Sequence, residues 1–141
     1  MSWLSRLLSL FRPQETIERP SPKIRIRPEQ VKIENDTLIV PGLTGCFIAA
    51  VAPKNSMEPV IDDGMFVFLD PTVSVTDLIV GDIIMYEHPD FNGGSPVLHR
   101  IIGMGQDTDW YCQTKGDNNA YQDPVKVRAS HIKGVYRGQI C

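Results

Sequence analysis

The sequence predicts a mainly β protein, in which mixed antiparallel sheets or a partly open barrel are joined by short helical turns. The chain of 141 residues holds eleven prolines and eleven glycines, which suits short elements and many turns better than a helix bundle. Short apolar or alternating runs recur at close intervals, with turn-forming residues between them. The sequence shows no internal repeat and no strand–helix alternation. One β-rich, barrel-like domain is therefore the expected architecture.

Each predicted strand follows from its local pattern. Residues 23–27 and 31–34 alternate apolar with charged side chains, which is typical of half-exposed strands. Further strands are expected at residues 37–40, 46–52, 65–69, 82–87, 97–104 and 110–114, and in a final stretch at 125–138 that bends. Turn-forming residues separate these strands at 41–42, 62–64, 92–94, 103–109 and 116–119. A helical turn or two is expected around 56–60 or 74–79.

The N-terminal residues 1–22 are predicted to be an amphipathic and linker arm that precedes a β domain of residues 23–141. Residues 12–23 are polar and carry three prolines, as a linker does. Apolar side chains within residues 1–12 could line one side of a short helix, which would either pack on the domain or touch a membrane surface. A membrane-spanning helix needs about 20 apolar residues, and no run in the sequence reaches that length. We expect a cytoplasmic protein with at most peripheral membrane contact through residues 1–12.

Charge and cysteine usage narrow the classes of partner. Residues 1–30 carry six basic and three acidic side chains, so the rest of the chain holds a net charge of -6 within a total of -3. An acidic body argues against nucleic-acid binding. The three cysteines are an odd number and show no metal-ligand spacing, and no His-x-x-x-His pattern occurs. No metal, cofactor or disulfide framework is therefore expected.

A serine, a histidine and two aspartates, each beside a predicted strand, suggest hydrolytic chemistry. The Ser56 hydroxyl is a poor nucleophile until a neighbouring base takes its proton, and His99 is a suitable base near neutral pH. A carboxylate, from Asp117 or Asp123, would then hold the imidazole in the required tautomer. Each of these residues alone would more often be a turn former, a helix cap or a structural side chain. Their combination, in four short segments, is what points to catalysis.

Those four segments resemble the signal peptidase and repressor-autoprotease clan. They are Asn-Ser-Met-Glu-Pro at 55–59, Gly-Asp with an apolar strand at 81–86, Leu-His-Arg-Ile at 98–101, and Thr-Lys-Gly-Asp-Asn-Asn at 114–119 with Asp123 beyond. The histidine in the third segment resembles the histidine that the archaeal and endoplasmic-reticulum signal peptidases have at this position. Bacterial signal peptidases and repressors have a lysine there instead. The resemblance covers roughly residues 45–138 and implies the fold of that clan.

The resemblance also implies a role for each matched residue. Ser56 would be the nucleophile, His99 the general base, Asp123 the third catalytic residue and Asp117 a nearby aspartate that supports the site. The implied activity is that of a serine endopeptidase that cleaves a peptide bond through an acyl-enzyme, at a site with small side chains. The peptide or protein substrate would bind as an added strand beside the segment before Ser56.

Two departures from the family pattern bear on this interpretation. Lys54-Asn55 stand where the family usually has a small pair such as Ser-Gly, so a side-chain hydroxyl is missing from the expected oxyanion hole. Family signal peptidases also carry a membrane-spanning anchor, which the sequence lacks. Lys54 and Lys115 are alternative bases, but a lysine needs strong desolvation to lose its proton near neutrality, and neither occupies the position of His99.

Two other functions fit the same scaffold. A repressor-like domain would cleave its own arm, although that class usually has a lysine base and an Ala-Gly or Cys-Gly bond upstream, and neither dipeptide precedes Ser56. A catalytically silent binding module would explain Lys54-Asn55, but such a module has no need for Ser56, His99, Asp117 and Asp123 together. Labelling by a serine-reactive probe distinguishes the enzyme from the binding module, and intact mass reveals self-cleavage.

Overall fold

The computed structural model describes residues 18–141 of the chain. The amphipathic stretch and the membrane contact expected for residues 1–12 lie outside the described residues. The proposed boundary between arm and domain at residue 22 stays a prediction.

The described residues form a mainly β structure, as predicted. Nine strands are present: β1 (Lys32–Glu34), β2 (Thr37–Ile39), β3 (Phe47–Ala50), β4 (Phe66–Asp70), β5 (Ile83–Tyr86), β6 (Val97–Gln106), β7 (Trp110–Lys115), β8 (Val127–Arg128) and β9 (Ile132–Ile140). The helical content of residues 18–141 is limited to four 3₁₀ turns, at Pro28–Gln30, Val75–Asp77, Asn92–Gly94 and Ala129–His131. Short strands and turns are what the many prolines and glycines favour.

The strands form two antiparallel sheets. β1 and β2 make a separate hairpin whose residues are exposed on both faces. The other seven strands form one curled sheet in the order β3-β4-β9-β5-β6-β7-β8, with every neighbouring pair antiparallel. β3 and β8 are the edges of this sheet, so within residues 18–141 each has one side without a partner strand.

Two hydrophobic clusters, one on each face of the large sheet, form the core. The first consists of Leu78, Ile84, Tyr86, Val97, Ile101, Cys112, Val127 and Val135, and the second of Met57, Ile61, Val67, Leu69 and Ile83. Successive residues of a strand point to opposite faces, and β5 therefore contributes to both clusters. His99 of β6 is paired with Ile84, which places its ring on the first face, while Arg100 is paired with Ile83 and belongs to the second face.

The strand predicted at residues 23–27 is wrong, because these residues form no strand. They run along the body of the protein and are held by side chains. The Lys23 backbone N–H donates to Asp82 Oδ1 over 2.9 Å, and the Arg25 guanidinium binds both oxygens of Asp82 over 2.7 and 2.8 Å. These contacts attach the segment to one buried carboxylate and give it no place in a sheet.

The other predicted strands are found close to their expected places, but β6 extends to Gln106 and takes up the first half of the turn predicted at 103–109. The bent stretch at 125–138 divides into β8, the 3₁₀ turn at Ala129–His131 and β9. A 3₁₀ turn lies within the predicted range 74–79, whereas residues 56–60 form a hydrogen-bonded turn and no assigned helix. Between residues 18 and 141 there is no helix with the length and apolar character needed to cross a membrane.

Candidate active site

Ser56 lies in a tight turn that follows β3. Asn55, immediately before it, has a φ of 53°, which is in the left-handed region of the backbone map. After Ser56, the backbone N–H groups of Val60 and Ile61 both donate to the carbonyl of Met57, over 3.1 and 3.0 Å. The Met57 side chain is buried in the second cluster and anchors the turn. This arrangement leaves the Ser56 side chain half-buried, at the surface of a cleft.

His99 lies between Ser56 and Asp123. Its Nε2 atom is 3.1 Å from Ser56 Oγ, and its Nδ1 atom is 2.7 Å from Asp123 Oδ2. Because an ionised carboxylate can only accept hydrogen bonds, Nδ1 carries the ring proton and Nε2 is left to accept from the serine hydroxyl. The imidazole is 5% exposed, so water competes little for either nitrogen. The three side chains therefore form a serine–histidine–aspartate chain of hydrogen bonds.

Asp123 is the buried centre of a larger polar group. Its Oδ2 atom accepts from His99, from the Tyr86 hydroxyl over 2.7 Å and from the Thr114 hydroxyl over 2.6 Å. Burial acts to raise the pKa of Asp123, but the hydrogen bonds from His99, Thr114 and Tyr86 outweigh it and hold that pKa below its usual value. Burial also raises the pKa of Tyr86, whose phenol stays protonated as a donor. The carboxylate is thus ionised at neutral pH.

Asp117 lies apart from this chain and binds Arg100. The guanidinium of Arg100 donates to both Asp117 oxygens, from Nε over 2.8 Å and from Nη2 over 2.7 Å. Within the described residues, the Asp117 carboxylate makes no hydrogen bond to Ser56 or His99. Both partners are almost fully buried, which makes this bidentate pair a fixed support for the turn that contains Asp117.

The turn of residues 116–119 rests directly on the backbone of the serine. The Asn118 backbone N–H donates to the Ser56 carbonyl over 2.9 Å, and its side-chain amide donates to the Asn55 carbonyl over 3.0 Å. A Cβ atom at Gly116 would lie 2.6 Å from the Ser56 carbonyl oxygen, so only glycine permits this approach. Asp117 therefore supports the position of Ser56 indirectly, through Arg100 and this turn.

A cleft of about 590 Å³ opens beside Ser56 and His99. Its floor and walls are mainly apolar, and include Ala49, Val51, Val67, Met85 and Leu98. At its exposed rim the Lys54 ammonium donates to Asn92 Oδ1 over 3.0 Å. Lys115 is paired with Arg100 on β6 and does not line the cleft. His99 is thus the basic group that the described structure places on the serine hydroxyl.

Sequence reasoning brought together Ser56, His99 and Asp123 but missed the side chains around them. Tyr86, Arg100 and Thr114 all lie within the matched segments, but the sequence predicts no role in the site for any of them. Their signal in the sequence is weak, since buried hydroxyls and one arginine are ordinary in strands. In residues 18–141 no cluster of three or more histidine, cysteine or acidic side chains is placed to hold a metal ion.

Comparison with known proteins identifies a distant relative. The chain is similar to signal peptidase I W of Bacillus subtilis (strain 168), with 30% identity over 86 residues, which are 60% of this chain and 44% of that protein. The chain thus spans less than half of the length of this curated relative. No family model matches the sequence. The similarity supports a distant signal peptidase I-like relationship.

Proposed function

We propose that this chain is a serine endopeptidase of the signal-peptidase-like type, with Ser56 as nucleophile and His99 as general base. The observation that carries this proposal is the hydrogen-bonded chain from Ser56 Oγ through His99 to Asp123, with distances of 3.1 and 2.7 Å. The distant relationship to signal peptidase I supports the same chemistry. A histidine base is the feature of the archaeal and endoplasmic-reticulum subtype, and that finer assignment is part of the proposal.

In the proposed reaction, His99 Nε2 takes the proton of Ser56 as Oγ attacks the carbonyl carbon of the scissile bond. The imidazolium that forms is stabilised by the ionised Asp123, and His99 then returns the proton to the leaving amine. Water hydrolyses the acyl-enzyme by the same route. The Ser56 backbone N–H makes no hydrogen bond within the described residues and is a candidate donor to the oxyanion.

The proposed peptide substrate would bind as a strand beside β3. β3 is an edge of the large sheet, and the short segment 51–55 connects its C-terminal end to Ser56. An extended peptide on this edge would gain backbone hydrogen bonds, and its alternate side chains would enter the apolar cleft. A small side chain at the cleavage site is proposed from the family resemblance. The identity of the substrate, the cytoplasmic location and the peripheral membrane contact stay predictions.

The first test uses a fluorophosphonate probe on the full chain. Wild type is expected to gain the mass of one adduct, located on Ser56 by peptide mapping. Ser56→Ala and His99→Ala are expected to lose labelling and peptide cleavage by several orders of magnitude while keeping the wild-type melting temperature. Failure of wild type to react would favour a binding module, whereas removal of the arm in the intact-mass spectrum would favour self-cleavage.

The second test is the pH dependence of peptide cleavage. Because only a neutral imidazole can accept the Ser56 proton, the rate should rise from acidic toward neutral pH. This rise should be absent from the residual activity of His99→Gln. A profile that the substitution leaves unchanged would contradict the serine–histidine mechanism and move the base to Lys54 or Lys115.

A further inference from the structure

The segment of residues 19–25 is held against the body by a series of polar contacts, and we refer to it as the strap. Arg19 Nη2 donates to the Asp117 carbonyl over 2.8 Å, and Arg100 Nη1 donates to the Pro20 carbonyl over 3.2 Å. At the other end Arg25 and the Lys23 backbone N–H bind Asp82. The strap thus joins two places on the body that are far apart in sequence.

The strap lies in close contact with the body. A Cβ atom at Gly81 would lie 2.1 Å from the Ser21 carbonyl oxygen, and Gly81 has a φ of 108°. Asp82 is fully buried, and the Arg25 side chain is only 9% exposed. A buried bidentate ion pair of this kind fixes its two partners in one geometry. Arg25 is therefore the anchor of the strap, and Arg19 is its contact with the turn of residues 116–119.

Few bonds separate Arg19 from the proposed nucleophile. Arg19 binds the carbonyl of Asp117, and the next residue, Asn118, donates its backbone N–H to the Ser56 carbonyl over 2.9 Å. The Arg19 Nε atom also lies 3.8 Å from Asp117 Oδ1, so its charge adds to that of Arg100 on the same carboxylate. A shift of this turn would move the Ser56 backbone, on which the distance from Oγ to His99 depends.

We propose that Arg19 is a positioning residue for Ser56. It holds the turn of residues 116–119 against the serine from outside the four matched segments. This inference rests on the proposed function of Ser56. Arg19 does not line the cleft, so its removal should leave substrate binding nearly unchanged and slow the chemical step.

The test compares Arg19→Ala with Arg27→Ala in the full chain. Arg27 is exposed, and its substitution removes the same charge. Arg19→Ala is expected to lower kcat at least about tenfold while KM changes by less than about twofold, because small displacements of a nucleophile are costly. Arg19→Lys, which retains a donor and the charge, should recover part of the loss. Arg27→Ala should match wild type.

Hydrogen exchange of the Asn118 amide supplies a measurement that does not depend on activity. Arg19→Ala is expected to speed exchange at Asn118 and to leave amides of β5 and β6 at their wild-type rates. Equal kcat and equal Asn118 exchange in Arg19→Ala and Arg27→Ala would overturn the inference, as would faster exchange throughout the sheet. Failure of wild type to react with the fluorophosphonate would contradict the proposed function. In that case the exchange measurement still tests the contact of the strap, and an unchanged Asn118 exchange rate in Arg19→Ala would overturn that contact as well.

Discussion

At the scale of the residue, the backbone angle of Asn55 explains one departure from the family pattern. A φ of 53° is costly for most side chains, whereas glycine and, to a lesser degree, asparagine adopt it readily. Asparagine therefore tolerates the angle that this turn requires, as a glycine at the same place would. Asn55 also accepts a hydrogen bond at its carbonyl from Asn118, which joins the turn before Ser56 to the turn of residues 116–119.

Substitution of Asn55 tests this explanation. Asn55→Gly should retain stability and probe labelling close to those of wild type. Asn55→Val should lower the free energy of unfolding by roughly 1–2 kcal/mol, the cost of the left-handed conformation, and should slow labelling of Ser56. Chemical denaturation and labelling rates of the two variants provide the measurement. Equal behaviour of Gly and Val at this position would show that the angle is not a constraint.

The two aspartates should respond differently to loss of charge. Asp123→Asn keeps an oxygen that can accept from Tyr86 and Thr114 but removes the charge beside His99, so turnover should fall by about three to four orders of magnitude. Asp117→Asn leaves the buried Arg100 without its counter-charge and should lower the melting temperature as well as activity. Rates and thermal melts on both variants check this. The opposite pattern would exchange the two roles.

At the scale of the element, the free edge of β3 decides how a peptide could bind. The Val51 N–H donates to the Met65 carbonyl, and the β3–β4 register then directs the backbone groups of Ala49 toward β4 and those of Ala50 toward the open edge. Proline is tolerated on an edge strand where its missing N–H faces outward. Ala50 is therefore a position at which the sheet can be kept and the proposed substrate contact removed.

Ala50→Pro should raise KM for a peptide substrate by about tenfold, since one backbone hydrogen bond to the added strand is lost. The melting temperature should stay near that of wild type. Ala49→Pro is the matched comparison and should be clearly destabilised, because it removes a bond within the sheet. Steady-state kinetics and thermal melts provide the data. An unchanged KM in Ala50→Pro would place the substrate elsewhere in the cleft.

Local patterns predicted most of the strands but failed for residues 23–27, and the reason is physical. Alternation of apolar and charged residues predicts a strand with a buried apolar side. Here Ile24 is 80% exposed, and it is the charged Arg25 that lies against the body. In this chain the partner is the Asp82 carboxylate and not another strand. The strand pairing β3-β4-β9-β5 is also beyond local patterns, because it depends on contacts between residues far apart in sequence.

The candidate site shows the same division between local and long-range information. Ser56, His99 and Asp123 were identified because short motifs carry them. Tyr86 and Thr114 lie at the ends of matched segments, but a motif does not show where a side chain points, and only the folded sheet shows that both hydroxyls reach Asp123. Arg19 lies outside the matched segments, so no resemblance could have indicated its contact with Asp117.

At the scale of the whole molecule, buried carboxylates make the fold sensitive to acid. Burial acts to raise the pKa of Asp70, Asp82 and Asp123, but hydrogen bonds outweigh it and lower all three. For Asp70 the donors are Thr72 and Arg137, and for Asp82 they include Arg25. Each of these carboxylates has a lower pKa in the folded state than in the unfolded state, where the pKa is ~3.9. The ionised groups therefore stabilise the fold fully above the unfolded pKa. This stabilisation is lost as the pH falls through the folded pKa.

The melting temperature should therefore fall as the pH drops from 5 toward about 3 and below. Asp82→Asn should lower the free energy of unfolding by about 3 kcal/mol or more at neutral pH, because it leaves the buried Arg25 without its counter-charge. The difference in stability between this variant and wild type should become smaller in acid. Asp36→Asn, an exposed position in the turn of the β1–β2 hairpin, is the control and should follow wild type. A difference in stability between Asp82→Asn and wild type that does not change with pH would contradict the role of the ionised Asp82.

The opposite orientations of His99 and Arg100 on β6 limit how this gene can change. The two side chains point to opposite faces of one sheet, so only one register of β6 against β5 places both of them correctly. A shift of β6 by one residue against β5 would bring Arg100 to the place of the imidazole, and a permanent cation cannot accept the Ser56 proton. Insertions and deletions of one residue within β6 should therefore be absent among active variants, whereas changes in the length of the preceding loop, which leave the register of β6 intact, can persist.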